Sequence, residues 1–312
     1  MQLGETRADA GATQVSLGEI MQVIEVAGVT LGLVAAEPPT GPLSAKHHLF
    51  QREAASADIA LNLVSSHGGL PRDRLLFDSQ SVWTVQQSGT SLLYEFTSPV
   101  FEPPIYKSVC IDADYTQGTL CVAGRARDSS RPLPHPLDAP LDQLIFSHHL
   151  AIRGHVELHC CTLVRRGKAV VLTGFSGAGK TTSARLWHSA HPEVQILSDD
   201  RVIVRREGEQ LRVFGTPWCG EGQFALNASA PLGAIVFLQH GLDNVLTPID
   251  PRVAARELYA RTFPPAWNEG AVSAVLETVS AMAKGVPVHH FSCRADLSAV
   301  ETLDRALESW LH

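Results

Sequence analysis

The sequence predicts an α/β fold for the second half of the chain, preceded by a smaller β-rich domain. Strand-like and helix-like segments alternate after about residue 140, whereas short β segments separated by turn residues fill the chain before it. A stretch with three prolines, residues 125–138, lies between the two patterns and has the composition of a linker. We therefore expect a β-rich domain over residues 1–135 and an α/β domain over residues 136–312.

The composition restricts the class of protein. The 312 residues are 45% hydrophobic and 18% charged, which is typical of a globular chain with a sizeable core. A net charge of −7 argues against a broad surface for nucleic acid or an anionic membrane, so neither partner is expected. No apolar run is long enough to span a bilayer and no signal-peptide pattern is visible, so a cytoplasmic location is expected. Six cysteines without a C-x-x-C pair predict free thiols.

The first half is predicted to be an antiparallel β domain. Residues 1–18 are polar and are expected to be loosely structured. The predicted strands are residues 23–34 (one strand, or two around Gly28), 59–64, 75–77, 81–87, 91–96, 106–112 and 118–123. This half carries no catalytic constellation, and we expect it to shape a substrate cleft or to form a contact in a homo-oligomer.

The second half alternates between the two kinds of element. An amphipathic helix is predicted over residues 141–153, and further helices over residues 181–190, 251–261, 271–283 and 297–311. The predicted strands are residues 156–164, 168–172, 194–197, 202–206, 211–214, 232–238 and 286–291. This alternation favours an α/β domain built around a central sheet.

A glycine motif stands in the middle of this half. Residues 174–181, GFSGAGKT, fit the phosphate-binding pattern G-x-x-x-x-G-K-[ST], with an apolar strand before them and a helix after them. Glycines permit the tight backbone conformation in which successive N–H groups point at phosphate oxygens. The predicted nucleotide-binding residues are Gly174, Ser176, Gly177, Ala178, Gly179, Lys180, Thr181 and Thr182. The alternative is a chance glycine turn before a helix.

The motif also predicts the cofactors, which are ATP or GTP together with Mg²⁺. Lys180 should reach the β- and γ-phosphates, and the Thr181 hydroxyl should ligate the metal. Asp199 and Asp200 follow the predicted strand 194–197 and can divide the remaining work. One carboxylate would ligate Mg²⁺ and the other would take the proton from an attacking hydroxyl, in an order that stays open. The competing interpretation is a pair of turn acids.

These residues resemble a known family. GFSGAGKT at 174–181 and LSDDRV at 197–202 are similar to the HPr kinase/phosphorylase catalytic domain, of the phosphoenolpyruvate-carboxykinase-like P-loop group. His159 stands fifteen residues before Gly174, as in that family's pattern. The segments LDQL (141–144), GTPWCGE (215–221) and PLGAIVFL (231–238) resemble more closely the HPr-kinase-like proteins of peptide-modification clusters, including lasso-peptide tailoring kinases.

The resemblance implies an α/β P-loop kinase domain of the HPr-kinase/PEP-carboxykinase-like type. It also implies transfer of a γ-phosphoryl group to a serine hydroxyl of a peptide or protein partner. HHFSCRAD at 289–296 stands where the true HPr kinase/phosphorylases carry their phosphorolysis signature, so HPr itself and the phosphorylase reaction are not implied. Two other functions remain open, a nucleotide-binding regulator with little turnover and a small-molecule kinase.

Several further side chains have both a functional and a structural interpretation. His159 would contact the γ-phosphate or the acceptor, or else be structural. Glu221 would orient Mg²⁺ or substrate, or be a solvated loop acid. Trp218 would anchor its loop or stack on a ligand. One of three arginines, Arg252, Arg256 and Arg261, would stabilise charge on the transferred group, or all three would be surface residues.

Overall fold

The computed structural model describes residues 19–39, 41, 43–123, 125–126 and 134–311. Within these residues the chain forms a mixed α/β structure with two large sheets and five α-helices. Residues 1–18 and half of the predicted linker, residues 127–133, lie outside the described part. None of the described helices is both long and apolar enough to cross a membrane.

The first sheet has nine strands, in the order β3-β1-β2-β4-β10-β9-β7-β6-β5. A short 3-10 helix, His47–Phe50, precedes β3. The strands of this half are β1 (Glu19–Val26), β2 (Val29–Ala35), β3 (Gln51–Arg52), β4 (Ile59–Val64), β5 (Arg74–Asp78), β6 (Trp83–Ser88), β7 (Ser91–Thr97), β8 (Phe101–Glu102), β9 (Ile105–Ile111), β10 (Gln117–Val122) and β11 (Arg125–Ala126). The predicted strands are confirmed, and the segment 23–34 is two strands with a turn at Gly28.

The prediction of a purely antiparallel domain is wrong. Strand β4 runs parallel to both of its neighbours, β2 and β10. The chain between β2 and β4 is long enough for the crossover that parallel pairing needs. Turn residues predict hairpins well, but they carry no signal for such a long-range pairing.

The second sheet has eight strands and carries most of the helices. Its elements are α1 (Leu141–Ala151), β12 (Val156–Arg165), β13 (Lys168–Thr173), α2 (Lys180–Ala190), β14 (Gln195–Ser198), β15 (Arg201–Glu207), β16 (Gln210–Gly215), β17 (Ser229–His240), β18 (Val245–Pro248), α3 (Pro251–Tyr259), α4 (Glu269–Gly285), β19 (Val288–Cys293) and α5 (Leu297–Trp310). The predicted elements are confirmed, and β18 is an addition. β17 runs parallel to β13 and β19 and antiparallel to β16.

The predicted helix α1 is present, but it has no solvent-facing polar side, because most of its polar residues are buried with its apolar ones. Its apolar residues, including Ile145 and Phe146, belong to the core of the first sheet. Its polar residues are buried too, because they have partners: the His148 ring bonds the Tyr94 hydroxyl at 2.7 Å, and Ser147 donates to Glu157 on β12. The helix therefore joins the two sheets, and the predicted boundary at residues 135 and 136 stays a prediction.

Strand pairing brings three distant segments together. The second half of β12 pairs with β13 and β14, and its first half pairs with β15. The step between β14 and β15 is the Asp199–Asp200 pair, and the Asp200 carbonyl accepts a hydrogen bond from the Cys160 N–H at 3.0 Å. His159, the two aspartates and the end of β13 therefore meet at one place.

Two leucines on α5 test the core of the second sheet. Leu303 is 1% exposed and Leu297 is 50% exposed. Leu303→Ala should lower the free energy of unfolding by about 2–5 kcal/mol, since it leaves a cavity in a packed core. Leu297→Ala is the matched control and should change it far less. Urea denaturation of both variants measures the difference, and equal effects would contradict the packing of α5.

Candidate functional site

The glycine loop, residues 174–179, connects the end of β13 to the start of α2. Gly177 and Gly179 have φ values of 79° and 95°, in the left-handed region that favours glycine. A Cβ on Gly174 would lie 2.7 Å from the Ala178 Cβ and 2.9 Å from the Leu238 carbonyl oxygen, so no side chain fits there. The strand, loop and helix that the motif needs are all present.

Lys180 is folded into this loop. Its ammonium donates hydrogen bonds to the carbonyl oxygens of Gly174 and Phe175, both at 3.2 Å. Burial lowers the pKa of the lysine, and the charge of the nearby Asp200 carboxylate offsets part of that shift. The Lys180 ammonium therefore lies against the backbone of the loop, and the glycines of the loop carry no side chains that would cover this backbone.

Arg261 is the arginine that reaches this loop. It is 7% exposed, and its guanidinium carbon lies 4.6 Å from the ring centroid of Phe175, which is itself 78% exposed. Its Nε has no hydrogen-bond partner, and burial lowers its pKa. Arg252 and Arg256, on α3, are exposed. Arg261 follows the end of that helix, where its carbonyl accepts from the His159 N–H at 2.9 Å.

His240 is a loop contact that sequence reasoning missed. It ends β17, and its Nε2 donates to the Gly177 carbonyl oxygen at 2.6 Å. Because β17 runs parallel to β13, their carboxyl ends meet at one edge of the sheet. The sequence shows that this strand ends in His240. It does not show that β17 pairs with β13, and this pairing brings His240 to the glycine loop.

The Asp199 carboxylate holds a second loop, residues 220–224, which we call the clasped loop. Oδ1 accepts from the N–H groups of Gly220 at 3.0 Å and Phe224 at 3.2 Å, and Oδ2 accepts from Gly222 at 2.7 Å. A Cβ on Gly222 would lie 2.6 Å from Asp199 Oδ2 and 3.0 Å from Thr181 Cγ2. Asp199 therefore faces the side of the site where Thr181 stands.

Asp200 has different partners. Its Oδ1 lies 3.1 Å from His159 Nε2, and its Oδ2 lies 3.3 Å from Arg201 Nε. Burial works to raise the pKa of this carboxyl, but the hydrogen bond from His159 and the charge of Arg201 outweigh it and hold the pKa below its usual value. The two carboxylates therefore contact different neighbours, and the predicted division of roles between them stays a prediction.

Arg201, which contacts Asp200, is itself held by Phe263 and Glu157. The guanidinium carbon of Arg201 lies 3.9 Å from the ring centroid of Phe263, and its NH1 lies 3.5 Å from Glu157 Oε1. Glu157 is buried, and it accepts hydrogen bonds from Ser147 and Gln143 of α1. Burial raises the pKa of Glu157, although the charge of Arg201 opposes this. The Phe263 ring and the Glu157 carboxylate therefore hold the Arg201 guanidinium in position.

A metal ion would need help from a ligand. Among the described residues there is no group of three or more His, Cys, Asp or Glu side chains that could hold one. Mg²⁺ commonly binds through one or two carboxylates plus substrate phosphates, which fits Thr181 and Asp199 as its protein neighbours. Glu221, predicted to orient the metal, is exposed, and its carbonyl accepts from Arg185 at 3.3 Å. Ser176 and Thr182 are exposed on the loop and the first turn of α2.

Comparison with known proteins identifies no family and no curated relative for this chain. Among solved structures, an Hpr(Ser) kinase/phosphatase from Coxiella burnetii matches with 15% sequence identity and a TM-score of 0.29, over 49% of this chain and 96% of that one. A similarity this weak establishes neither a shared fold nor a shared activity, and the motif resemblance to peptide-tailoring kinases has no support from a sequence relative.

The two aspartates should differ in their effect on stability. Asp199→Asn places an amide where backbone N–H groups need an acceptor, so the free energy of unfolding should fall by about 1–3 kcal/mol. Asp200→Asn breaks a half-exposed ion cluster and should cost about 0–1 kcal/mol. Urea denaturation at neutral pH compares the variants. An equal loss in both would show that Asp199 does not hold the clasped loop.

Proposed function

We propose that this protein is a Mg²⁺-nucleotide-dependent kinase that transfers a γ-phosphoryl group to a serine hydroxyl of a peptide or protein. One observation carries the proposal. The Asp200 carboxylate lies 3.1 Å from His159 Nε2, and the His159 carbonyl accepts a hydrogen bond at 2.9 Å from Thr173, the residue directly before the glycine loop, so this carboxylate is held beside the loop. A phosphate cradle beside a fixed carboxylate base is the arrangement that phosphoryl transfer to a hydroxyl needs.

The glycine loop fits the phosphates of ATP or GTP. Gly174 leaves space that a Cβ would fill, and the positive φ values of Gly177 and Gly179 suit a loop whose N–H groups bind phosphate. Lys180 would leave the loop carbonyls for the more strongly charged phosphate oxygens. The nucleotide supplies the phosphoryl group and a diphosphate leaving group.

The roles of the two aspartates follow from their neighbours. We assign Asp200 as the base, since the pKa of its carboxyl is held below its usual value and its oxygens are oriented by contacts with His159 and Arg201. Asp199 belongs to the metal side with Thr181, where it also orders the clasped loop. His159 orients Asp200 rather than touching the acceptor.

Arg261 is the cation that would stabilise charge on the transferred group. It is buried against Phe175 and Phe237, its Nε is unpaired, and a guanidinium suits an anion with several oxygens.

The six cysteines are all free, which supports a cytoplasmic location.

Lys180→Ala should abolish transfer without unfolding the chain, since the lysine bonds only to carbonyls of its own loop. A ligand at a hundred times its Kd stabilises the folded state by about 2.7 kcal/mol, so Mg-nucleotide should raise the melting temperature of the wild type but not of this variant. Lys284→Ala, at an exposed position on α4, is the control. The two readouts are thermal unfolding and transfer of labelled γ-phosphate to a serine peptide.

Asp200→Asn should leave nucleotide binding near the wild-type level. Turnover should fall by about 10²–10⁴, and by the lower figure if the transition state is largely dissociative. Since the pKa of Asp200 is lowered, the wild-type rate should stay high on acidification until the pH falls below the usual aspartate range of about 3.9, and the variant should lack this acid limb.

Calorimetry with nucleotide and turnover on a serine peptide test the role of Asp200. Normal turnover in the variant would contradict the base assignment. Nucleotide binding with no transfer to any acceptor, even in the wild type, would favour the regulatory protein. Transfer to free serine or sugars but not to peptides would favour the small-molecule kinase.

A further inference from the structure

A cleft of about 400 Å³ opens beside Asp200, and we call it the junction cleft. Its walls come from four separate parts of the chain, which are Asp200 and residues within 44–47, 138–143 and 217–223. The wall residues that matter below are Lys46, Asp138, Gln143, Asp200, Trp218 and Gln223. Ala178 and Gly179 of the glycine loop line a different, largely apolar cavity with Trp187 and Phe291. The carboxylate assigned as base thus faces a space separate from the loop's cavity.

The walls of the junction cleft are held in place by buried polar contacts. Asp142 is fully buried, and its Oδ2 accepts from His47 Nε2 at 2.6 Å and from Trp218 Nε1 at 2.7 Å. Lys46 donates to the Gln223 carbonyl, which ties the first half of the chain to the clasped loop. The segments LDQL and GTPWCGE, which the site described so far does not explain, meet at the bond between Asp142 and Trp218. The cleft is therefore preformed.

The charges on the walls select among acceptors. Asp138 and Asp200 are carboxylates, and the one lysine among the lining residues donates to a backbone carbonyl. These two carboxylates outnumber the single Lys46 ammonium on the walls, so an acceptor with its own carboxylate or phosphate would meet an excess of negative charge there. A neutral or basic peptide segment meets no such repulsion. The rim at Ser44, Ala45 and Gln223 is exposed, so a chain can extend beyond the cleft on either side of its hydroxyl.

We propose that the junction cleft binds the acceptor as a neutral or basic peptide segment, and that the N-terminal half of the chain thereby selects the substrate. This rests on the proposed kinase function. The acceptor hydroxyl would point at Asp200, which takes its proton as the oxygen attacks the γ-phosphorus and the bond from that phosphorus to the diphosphate oxygen breaks. Lys46, Asp138 and Trp218 contact the segment around the hydroxyl.

A bulky residue on the rim tests the location. Ala45 is exposed and lines the cleft, whereas Ala55 is exposed and lies outside it. Ala45→Trp should lower kcat/KM for a serine peptide by about 10²-fold, since a displaced acceptor loses its alignment, while Mg-nucleotide binding stays unchanged. Ala55→Trp is the matched control and should behave as the wild type.

A charge swap tests the chemistry. We would use two capped peptides with one central serine, flanked in one by lysines and in the other by glutamates. The wild type should prefer the lysine peptide, and Asp138→Asn should reduce that preference about two- to fivefold, the effect of one partly exposed charge. Thermal unfolding of the variant checks that its fold is intact.

Fluorescence anisotropy measures peptide binding to Lys180→Ala, a variant that transfers no phosphoryl group. Combined with the transfer assays, it distinguishes the cleft proposal from the kinase proposal. If the wild type phosphorylates the peptide and Ala45→Trp does so equally well, the cleft assignment is overturned and the kinase stands. If no transfer occurs but Ala45→Trp and Asp138→Asn alter peptide binding as expected, the kinase is overturned and the cleft stands. If the peptides do not bind, or if a free sugar is phosphorylated in preference to them, the cleft assignment is overturned.

Discussion

The site depends on one buried carboxylate. Removing a charge such as that of Asp199 from water costs several kcal/mol unless hydrogen bonds compensate for it, and here three backbone N–H groups do so. The clasped loop has no regular secondary structure of its own, so this charge fixes its path. The same loop approaches Thr181 on one side and carries Gln223 to the junction cleft on the other. A single set of hydrogen bonds to Asp199 therefore sets the distance between Thr181 and the junction cleft.

The register of β12 supplies the second constraint. This strand leaves one set of partners and joins another at residue 160, and the chain passes from β14 to β15 at that point. Two adjacent aspartates at such a step need not follow the alternation of a strand. One turns toward the clasped loop and the other toward His159. The different surroundings of the two carboxylates thus come from a break in the strand pairing rather than from the alternation of a strand.

The parts of the site that sequence could predict are local in the chain. The glycine loop, Lys180 and the aspartate pair follow from motifs with a strand before them. Arg261, His240 and Asp142 could not be assigned, because each gains its meaning from a residue more than sixty positions away, such as Trp218 for Asp142. Helix α1 was predicted, but the burial of its histidines and serine was not, since these side chains find partners on other elements. Parallel pairing of β4 also leaves no local signal.

The position of the Lys180 ammonium has a consequence for ligand choice. The ammonium already donates hydrogen bonds to two carbonyl oxygens of its own loop, so a ligand has to compete with these carbonyls for the cation. A neutral dipole loses this competition to a doubly charged oxygen cluster but not to another neutral group. If the proposed function holds, Lys180 would therefore discriminate among ligands by their charge density, independently of any contact with a base or ribose.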